Sequence, residues 1–414
     1  RVGKEEKKVP IIRHNSKSSI AKTFVNWITV FITLYWKNLL QDIRNPLTIC
    51  LQYFSPISQI LLFALCIGGH PFGINIGIVN KDSSRLAVGN EFLKSIDGVI
   101  VNQIHFNNLK EAIEAAKRRK VWAVIEIPRD YSYALVDRII SSNVSNKLVK
   151  RSTILVHADL SDKIVALTTL RTLHNDYILF TRRLLSDYDE DPDVANPIIK
   201  IVKPIYGSNT KNYRAFRDFM LPGMILNLTF AMAIAMSSLT LIAERSGQTF
   251  ERNYVAGVNA TQMLMSHIAA RITLSALYVV IVVWTPLLLF DIRVKGNVWI
   301  ATLLVLIQNI TGMTCGMLIS ATCKEIMMAM VTTSGCFMFF LFMSGTLWPV
   351  ESIPYSFRWM CYISPTTLPT EAFRHILYRN WSITSFGVSI GFGVSFIWTI
   401  IFFCCAAKLF RYNK

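Results

Sequence analysis

The 414-residue chain is 52% hydrophobic and 17% charged, and its apolar residues gather into long runs that are nearly free of charge. Average soluble domains are about 45–50% apolar and about 25% charged, so the composition excludes an ordinary soluble protein and indicates a membrane protein. The net charge of +17 does not indicate a nucleic-acid partner, because the basic start lies just ahead of a hydrophobic run, where anionic head groups favour it.

Residues 1–45 combine this basic start with an amphipathic stretch. Apolar side chains such as Trp27 and Phe31 recur at helical spacing, and polar ones such as Lys22 and Lys37 fall between them. The pattern is typical of a helix that lies in the head-group plane. We therefore expect a cytoplasmic linker followed by an amphipathic interfacial helix. The alternative is a membrane span of its own.

Six later stretches come close to the roughly 20 apolar residues that a helix needs to cross the hydrocarbon core. With the basic start inside, six spans place both termini in the cytoplasm, at the plasma membrane, and residues 68–217 outside. Spans two to six then occupy residues 218–414. The six stretches are Pro46–Ile67, Phe219–Ala243, Met263–Phe290, Val298–Cys323, Ile326–Trp348 and Phe386–Leu409.

Residues 68–217 alternate short strand-like and helical patterns, which indicates a small α/β domain. The predicted fold is an all-α polytopic membrane domain of about six transmembrane helices, with this extracellular α/β domain inserted between the first and second spans. The acidic run DYDEDPD that ends at Asp193 is interpreted as a surface loop, and the alternative is a cation site. The strand-like runs are Ile74–Val79, Val99–Phe106, Val121–Ile127 and Thr153–Ala158.

Motifs for hydrolysis or metal binding are missing from the sequence. It contains no GxxxxGK[ST] phosphate loop, no HExxH and no CxxC pair. We therefore expect no catalytic site, no metal and no cofactor in this chain. His267 is interpreted as a packing residue of the third span. We expect Arg271 to extend towards the cytoplasmic head groups, because a charge buried in the membrane costs roughly 2.5–3.5 kcal/mol.

The segment between the second and third spans, residues 243–262, begins AERSGQTFERNYVAG. Its four charged residues are too polar for the hydrocarbon core, whereas Tyr254 and Val255 provide an apolar face. A short amphipathic helix that joins two spans can transmit displacement to both of them. An ordinary solvated loop is the alternative.

A second informative segment follows the fifth span. It begins SGTLWPVESIP at Ser344 and continues through SPTTLPTEAFRHIL to Leu377. Pro349 and Pro354 end the span, and the apolar character that returns afterwards is too short to cross. Residues 349–383 are therefore predicted to form an extracellular re-entrant segment with an interfacial helix.

These two segments resemble the permeases of ABC type-two transporters, the first in its coupling region and the second in its closing signature. The resemblance extends over nearly the whole chain. An α/β domain between the first two spans is most like arthropod subfamily H, related to subfamily G, and some bacterial type-two permeases share the insertion. The resemblance implies a dimer whose substrate path lies between the second and fifth spans.

The resemblance also implies roles for particular residues. The coupling segment, which contacts a nucleotide-binding domain, corresponds to Glu244, Arg245, Glu251 and Arg252. Thr346 and Leu347 fall where subfamily G has an apolar plug, although Thr346 departs towards polarity. The substrate cavity is expected to include Asn227, Phe230, Met338, Phe339 and Phe342, whose alternative is lipid-facing or packing positions.

Two glycosylation sequons, at Asn143 and Asn380, fall outside the membrane in this topology. The second and fifth spans have no carboxylate or Arg at mid-depth, which favours a lipid or other hydrophobic substrate. Because the sequence opens at Arg1 without Met, we expect a segment upstream. The resulting hypothesis is an ATP-driven exporter whose ATP and Mg²⁺ bind a nucleotide-binding domain, either upstream or on another subunit. The rival is a ligand-gated channel or surface receptor.

Overall fold

The computed structural model describes residues 16–66, 72–140, 145–188, 191–195, 215–290, 292 and 294–412. The chain divides into two compact units. One unit is formed by Arg1–Gly68 with Arg214–Lys414, and the other by Gly69–Tyr213. The first is called the membrane unit below and the second the α/β unit.

The membrane unit begins with helices α1 (Ser16–Ile43) and α2 (Pro46–Cys66). Helix α2 has the length and hydropathy of a membrane span, whereas α1 is not among the helices that do. On α1, Leu34 and Leu39 are buried, while Trp36 is more than half exposed. This two-sided burial agrees with the amphipathic pattern of the sequence.

The α/β unit follows in chain order. A four-stranded sheet has the order β2-β1-β3-β4, with β1 parallel to β2 and β3, and β4 antiparallel to β3. The elements are β1 (Ile74–Asn80), α3 (Val88–Ser95), β2 (Val101–His105), α4 (Leu109–Lys117), β3 (Ala123–Ile127), α5 (Tyr131–Ile140), α6 (Asn146–Arg151), β4 (Leu155–Ala158) and α7 (Lys163–Asp187).

The sheet is covered on both faces by apolar side chains. One face places Ile76 and Ile125 against Phe92 of α3 and Leu173 of α7. The opposite face packs Val124 and its neighbours against α4. Because successive side chains of a strand point to opposite faces, strands covered on both sides become nearly continuous apolar runs.

The membrane unit resumes after the α/β unit with eight helices. Helices α8, α10, α11, α12 and α15 have the character of membrane spans, so the prediction of about six spans, including α2, is confirmed for the described residues. The helices are α8 (Ala215–Ser246), α9 (Thr249–Val255), α10 (Ala260–Leu289), α11 (Val298–Thr322), α12 (Ile326–Met343), α13 (Tyr355–Ile363), α14 (Thr367–Arg379) and α15 (Phe386–Tyr412).

Helices α8 and α11 form the centre of the membrane unit. A Cβ atom at Gly312 would lie 2.6 Å from the carbonyl oxygen of Phe230, and one at Gly316 would lie 2.4 Å from that of Ile234. Glycine at these two positions therefore lets the two helix backbones approach closely, which is how helices commonly associate in lipid.

The fifth span is shorter than predicted, because α12 ends at Met343 and not at Trp348. Gly345 adopts φ +68°, a left-handed conformation that ends the helix and turns the chain back. The residues that follow are apolar, so hydropathy alone could not locate this turn.

The segment after the fifth span also differs in part from the prediction. Pro369 lies in the first turn of α14, where a missing N–H removes no hydrogen bond. Phe373 and Ile376 of α14 are fully buried in the core of the bundle. By contrast, Tyr355 and Trp359 of α13 are mostly exposed. The exposed aromatic side chains therefore belong to α13, whereas α14 is a core helix.

Candidate functional site

Five ionisable side chains meet where α1 contacts the end of α8 and the first half of α10. We call Lys37, Asp42, Glu244, His267 and Arg271 the charged cluster. The Glu244 carboxylate lies 3.0 Å from Lys37 Nζ and 2.9 Å from His267 Nε2. With 4% of its surface exposed, Glu244 is directed into the protein. A single carboxylate thus joins three helices that are distant in sequence.

Arg271 completes the charged cluster, and the expectation that it extends to the head groups is wrong. Its side chain is buried, lies 3.5 Å from Asp42 Oδ1 and donates a hydrogen bond to Thr240 Oγ1. Burial is tolerated because α1 supplies a carboxylate partner at this depth. This contact could not be predicted from the sequence, since the two residues of the ion pair are separated by 229 positions.

Helix α1 is also attached to α10 by neutral hydrogen bonds. Asn38 Nδ2 donates to Ser266 Oγ at 3.2 Å, and the hydroxyls of Tyr35 and Thr273 are 3.1 Å apart. These two contacts lie within one helical turn of Lys37. Together with the ion pairs they bind α1 to the third span, so a displacement of one helix is transmitted to the other.

The structure separates the four residues of the predicted coupling segment into two pairs. Glu244 and Arg245 belong to α8 and bind within the chain: Arg245 Nη1 donates to the carbonyl oxygen of Ser320 at 2.7 Å and stands over the Phe410 ring. A cation is favourable there because the last carbonyls of α11 carry partial negative charge. Neither side chain is therefore directed towards a partner.

Glu251 and Arg252 form the second pair, on the short helix α9, and both are exposed. Val255 at the end of α9 is 90% exposed, whereas Tyr254 packs against a buried cluster that contains Leu264. Helix α9 is thus anchored through one side chain and presents two charges and an apolar residue. Helix α9 is seven residues long and therefore occupies only the middle of the predicted coupling segment, residues 243–262.

At the other end of α8, Asn227 and Thr346 are joined by a hydrogen bond. Asn227 Nδ2 donates to Thr346 Oγ1 at 2.9 Å and to the carbonyl oxygen of Gly223 at 2.9 Å. The hydroxyl of Thr346 also lies 2.6 Å from that of Ser344. Thr346 is fully buried in these contacts, and Leu347 is half-buried. Thr346 is therefore a polar tether and not part of an apolar plug.

Arg374 of α14 reinforces this tether. Its Nε donates to the carbonyl oxygen of Phe219 at 3.1 Å, and its Nη2 donates to that of Gly345 at 2.8 Å. The guanidinium stands 4.0 Å from the centre of the Phe219 ring. Burial lowers the pKa of Arg374 to about 10, so the side chain remains charged at neutral pH. It links α14, the start of α8 and the turn after α12.

The five predicted cavity residues are also divided. Asn227 and Phe230 are buried within the chain, where Phe230 packs edge-on against Phe340. Met338, Phe339 and Phe342 are 51%, 45% and 44% exposed. They lie on one side of α12, a helix whose buried side chains are those of Ala329 and Thr333. A single chain thus leaves this apolar helix face without cover from the residues that the structure describes.

Of the two predicted glycosylation sites, one lies among the described residues. Asn380 is exposed at the end of α14 in a left-handed conformation, so its side chain is accessible. Asn143 lies outside the described residues. Among the residues with defined positions, no group of three or more His, Cys, Asp or Glu side chains is placed to hold a metal ion.

Six helices with the length and hydropathy of membrane spans, counted over the residues that the structure describes, define a multi-pass membrane protein. Residues 46–408 match the family model of the ABC-2 family transporter protein. The chain belongs to this family and forms a transmembrane component of a transporter.

Two proteins of Dictyostelium discoideum are similar to this chain. It is 25% identical to ABC transporter G family member 20 over 93% of its own length and 51% of that protein's. It is 26% identical to ABC transporter G family member 23 over 90% of its length and 52% of that protein's. The chain therefore spans about half the length of these relatives. The narrower assignment to subfamily H stays a prediction.

Proposed function

We propose that this chain is the transmembrane half of an ATP-driven exporter that moves lipids or other hydrophobic molecules out of the cell. A nucleotide-binding domain, upstream in the same polypeptide or on a separate subunit, binds ATP and Mg²⁺ and supplies the energy. Both termini and α9 are cytoplasmic in this proposal, the protein lies in the plasma membrane, and the α/β unit is outside the cell.

The observation that carries the proposal is the division between α8 and α9. Glu244 and Arg245 are bound inside the chain, while Glu251, Arg252 and Val255 remain exposed on a short helix between two spans. A partner that moves α9 displaces the ends of α8 and α10. Because the charged cluster binds α1 to the same helices, the displacement reaches α1 as well.

The substrate class and the dimer are inferred from α12. Its exposed face carries Met338, Phe339 and Phe342, and a surface of this kind recognises its partner by apolar burial. A second permease half that places its own α12 opposite this one would enclose an apolar path. A homodimer would enclose such a path without a different partner, since the same face of α12 then forms the interface on both copies.

The proposal is tested by purifying the native polypeptide from its membrane and measuring its intact mass together with lipid-stimulated, vanadate-sensitive ATP hydrolysis. We expect either a mass well above 47.0 kDa or a co-purifying ATPase. A mass near 47.0 kDa without an associated ATPase contradicts the proposal and favours the rival function, a ligand-gated channel or surface receptor.

A further inference from the structure

We propose that the α/β unit binds an anionic amphiphile, a molecule with a long apolar chain that ends in a carboxylate or phosphate. The site is a groove of about 890 Å³ between α7, α5 and the β3-β4 side of the sheet. Ligand pockets in proteins commonly enclose about 300–1,000 Å³. This inference concerns the α/β unit alone and does not depend on the proposed transport function.

The floor of the groove is formed by the last two strands of the sheet. Ile125 of β3 and Val156 of β4 are paired across the antiparallel ladder, so their side chains lie on the same face. Ile125 is buried, whereas Val156, on the edge strand, is 40% exposed. The apolar face of the sheet therefore continues beyond the core that α3 and α7 cover, and it opens into the groove.

One wall of the groove is a stripe along α7. Leu170, Leu173, Tyr177 and Thr181 follow one another at intervals of three or four residues, which places them on one helix face. Leu173 is part of the core, and Leu170 is 37% exposed. One face of α7 is thus buried in the core at Leu173 and accessible at Leu170. This is expected of a helix that covers the apolar chain of a ligand.

The polar groups of the groove indicate the charge of the ligand. Arg138 of α5 donates a hydrogen bond from Nη1 to Ser152 Oγ at 3.3 Å, and both residues line the groove together with His174. None of the described residues that line it is Asp or Glu. A guanidinium without a carboxylate partner in the groove is suited to a carboxylate or phosphate, which it can bind with two parallel hydrogen bonds.

Direct labelling of the full-length chain in lipid nanodiscs tests the inference. The probe is a palmitic acid with a photoactivatable diazirine in its chain, and the labelled peptides are identified by mass spectrometry. We expect saturable labelling of peptides from residues 154–185 that excess palmitate suppresses. Labelling confined to the membrane spans, or labelling of residues 154–185 that does not saturate, would overturn the inference.

Two variants block the groove from opposite sides. Leu170→Trp and Val156→Trp fill it from α7 and from β4, and each is expected to reduce labelling about tenfold. The control is Leu167→Trp, on the same helix, whose side chain is 68% exposed and is not among those that line the groove. Equal loss with the control would show that a bulky ring on this unit is sufficient, which contradicts a specific site.

The charge of the head group is tested separately. Arg138→Gln is expected to reduce labelling by the acid about fivefold, because a charge-assisted hydrogen bond is lost. The same variant leaves labelling by the matched long-chain alcohol unchanged. Arg171→Gln, which removes an exposed charge from α7, is the control. If Arg138→Gln affects both probes equally, or if Arg171→Gln has the same effect on the acid, the proposed anion contact is wrong.

Discussion

The carboxylate of Glu244 on the second span lies 2.9 Å from Nε2 of His267 on the third span, and both side chains are buried. The other oxygen of the same carboxylate accepts a hydrogen bond from Lys37 of α1. The sequence resemblance assigned Glu244 to the contact with a nucleotide-binding domain, but in the structure this residue connects α1, α8 and α10. In the proposed mechanism Glu244 transmits movement between helices, and the exposed residues of α9 receive it from the partner.

Glu244→Gln is expected to destabilise the protein by about 3 kcal/mol, because it leaves buried partners without their counter-charge. Glu251→Gln, on the exposed helix α9, is the matched control and is expected to change stability by less than about 0.5 kcal/mol. Thermal unfolding of both variants in detergent measures the difference. Equal stability of the two variants would contradict the internal role of Glu244.

The tether between α8 and the turn after α12 requires glycine at one position. A Cβ atom at Gly223 would lie 2.5 Å from Thr346 Oγ1, so Gly223→Ala must displace Thr346 from Asn227. We expect an apparent loss of about 1–3 kcal/mol, the cost of buried polar groups that lose their partner. Gly335→Ala on α12, where no atom lies within 4 Å of the new carbon, is the control. An equally small effect of both changes would exclude the tether.

The exposed face of α12 is expected to contact a second copy of the chain. A photoreactive benzoyl-phenylalanine in place of Met338 should produce a crosslinked dimer in native membranes. The same residue in place of Ile400 on α15, which is 62% exposed, should yield mainly lipid adducts. Crosslinking at position 400 but not at 338 would place the interface elsewhere.

Stability should depend on pH through His375 of α14. Burial, with help from Arg379 and Arg374, lowers the pKa of His375 to about 4 from 6.5. Between pH 6.5 and about 4, His375 is protonated in the unfolded chain but neutral in the folded protein. Stability therefore falls as the pH is lowered through this range. His375→Phe should flatten this part of the profile relative to wild type. Identical slopes for His375→Phe and wild type would contradict the lowered pKa of His375.

The topology can be read from the sequons. If the segment after the fifth span is outside, Asn380→Gln should remove one glycan and increase mobility in gel electrophoresis. Asn309→Gln is the control, because Asn309 is buried in the fourth span and accessible to no glycosyltransferase. An unchanged mobility for Asn380→Gln, in cells that glycosylate a reporter, would place α14 on the other side or show that this sequon is not used.

The spans could be predicted from the sequence because each is a continuous apolar run, and helices α8, α10 and α11 begin and end within a few residues of their runs. The end of α12 could not, since it depends on the left-handed conformation of Gly345 within an apolar stretch. Hydropathy shows where a chain is apolar, so it does not reveal a turn that lies inside an apolar region.

The coupling residues show a second limit. The resemblance to type-two permeases implied a coupling role for the segment around Glu244 and Glu251, but it could not divide the segment into inward and outward residues. The division depends on Lys37 and His267, which the fold brings to Glu244 from distant parts of the sequence. For the same reason Arg271 was expected at the head groups, whereas Asp42 holds it inside.

The central claim is tested most directly by transport into inside-out membrane vesicles. A fluorescent phospholipid analogue is followed with ATP or with a non-hydrolysable analogue, in wild type and in Glu251→Lys/Arg252→Glu, which reverses both exposed charges of α9. We predict ATP-dependent accumulation in wild type and its loss, with unchanged thermal stability, in the variant. Accumulation that is independent of ATP, or that the charge reversal leaves intact, would contradict the account of an exporter driven through α9.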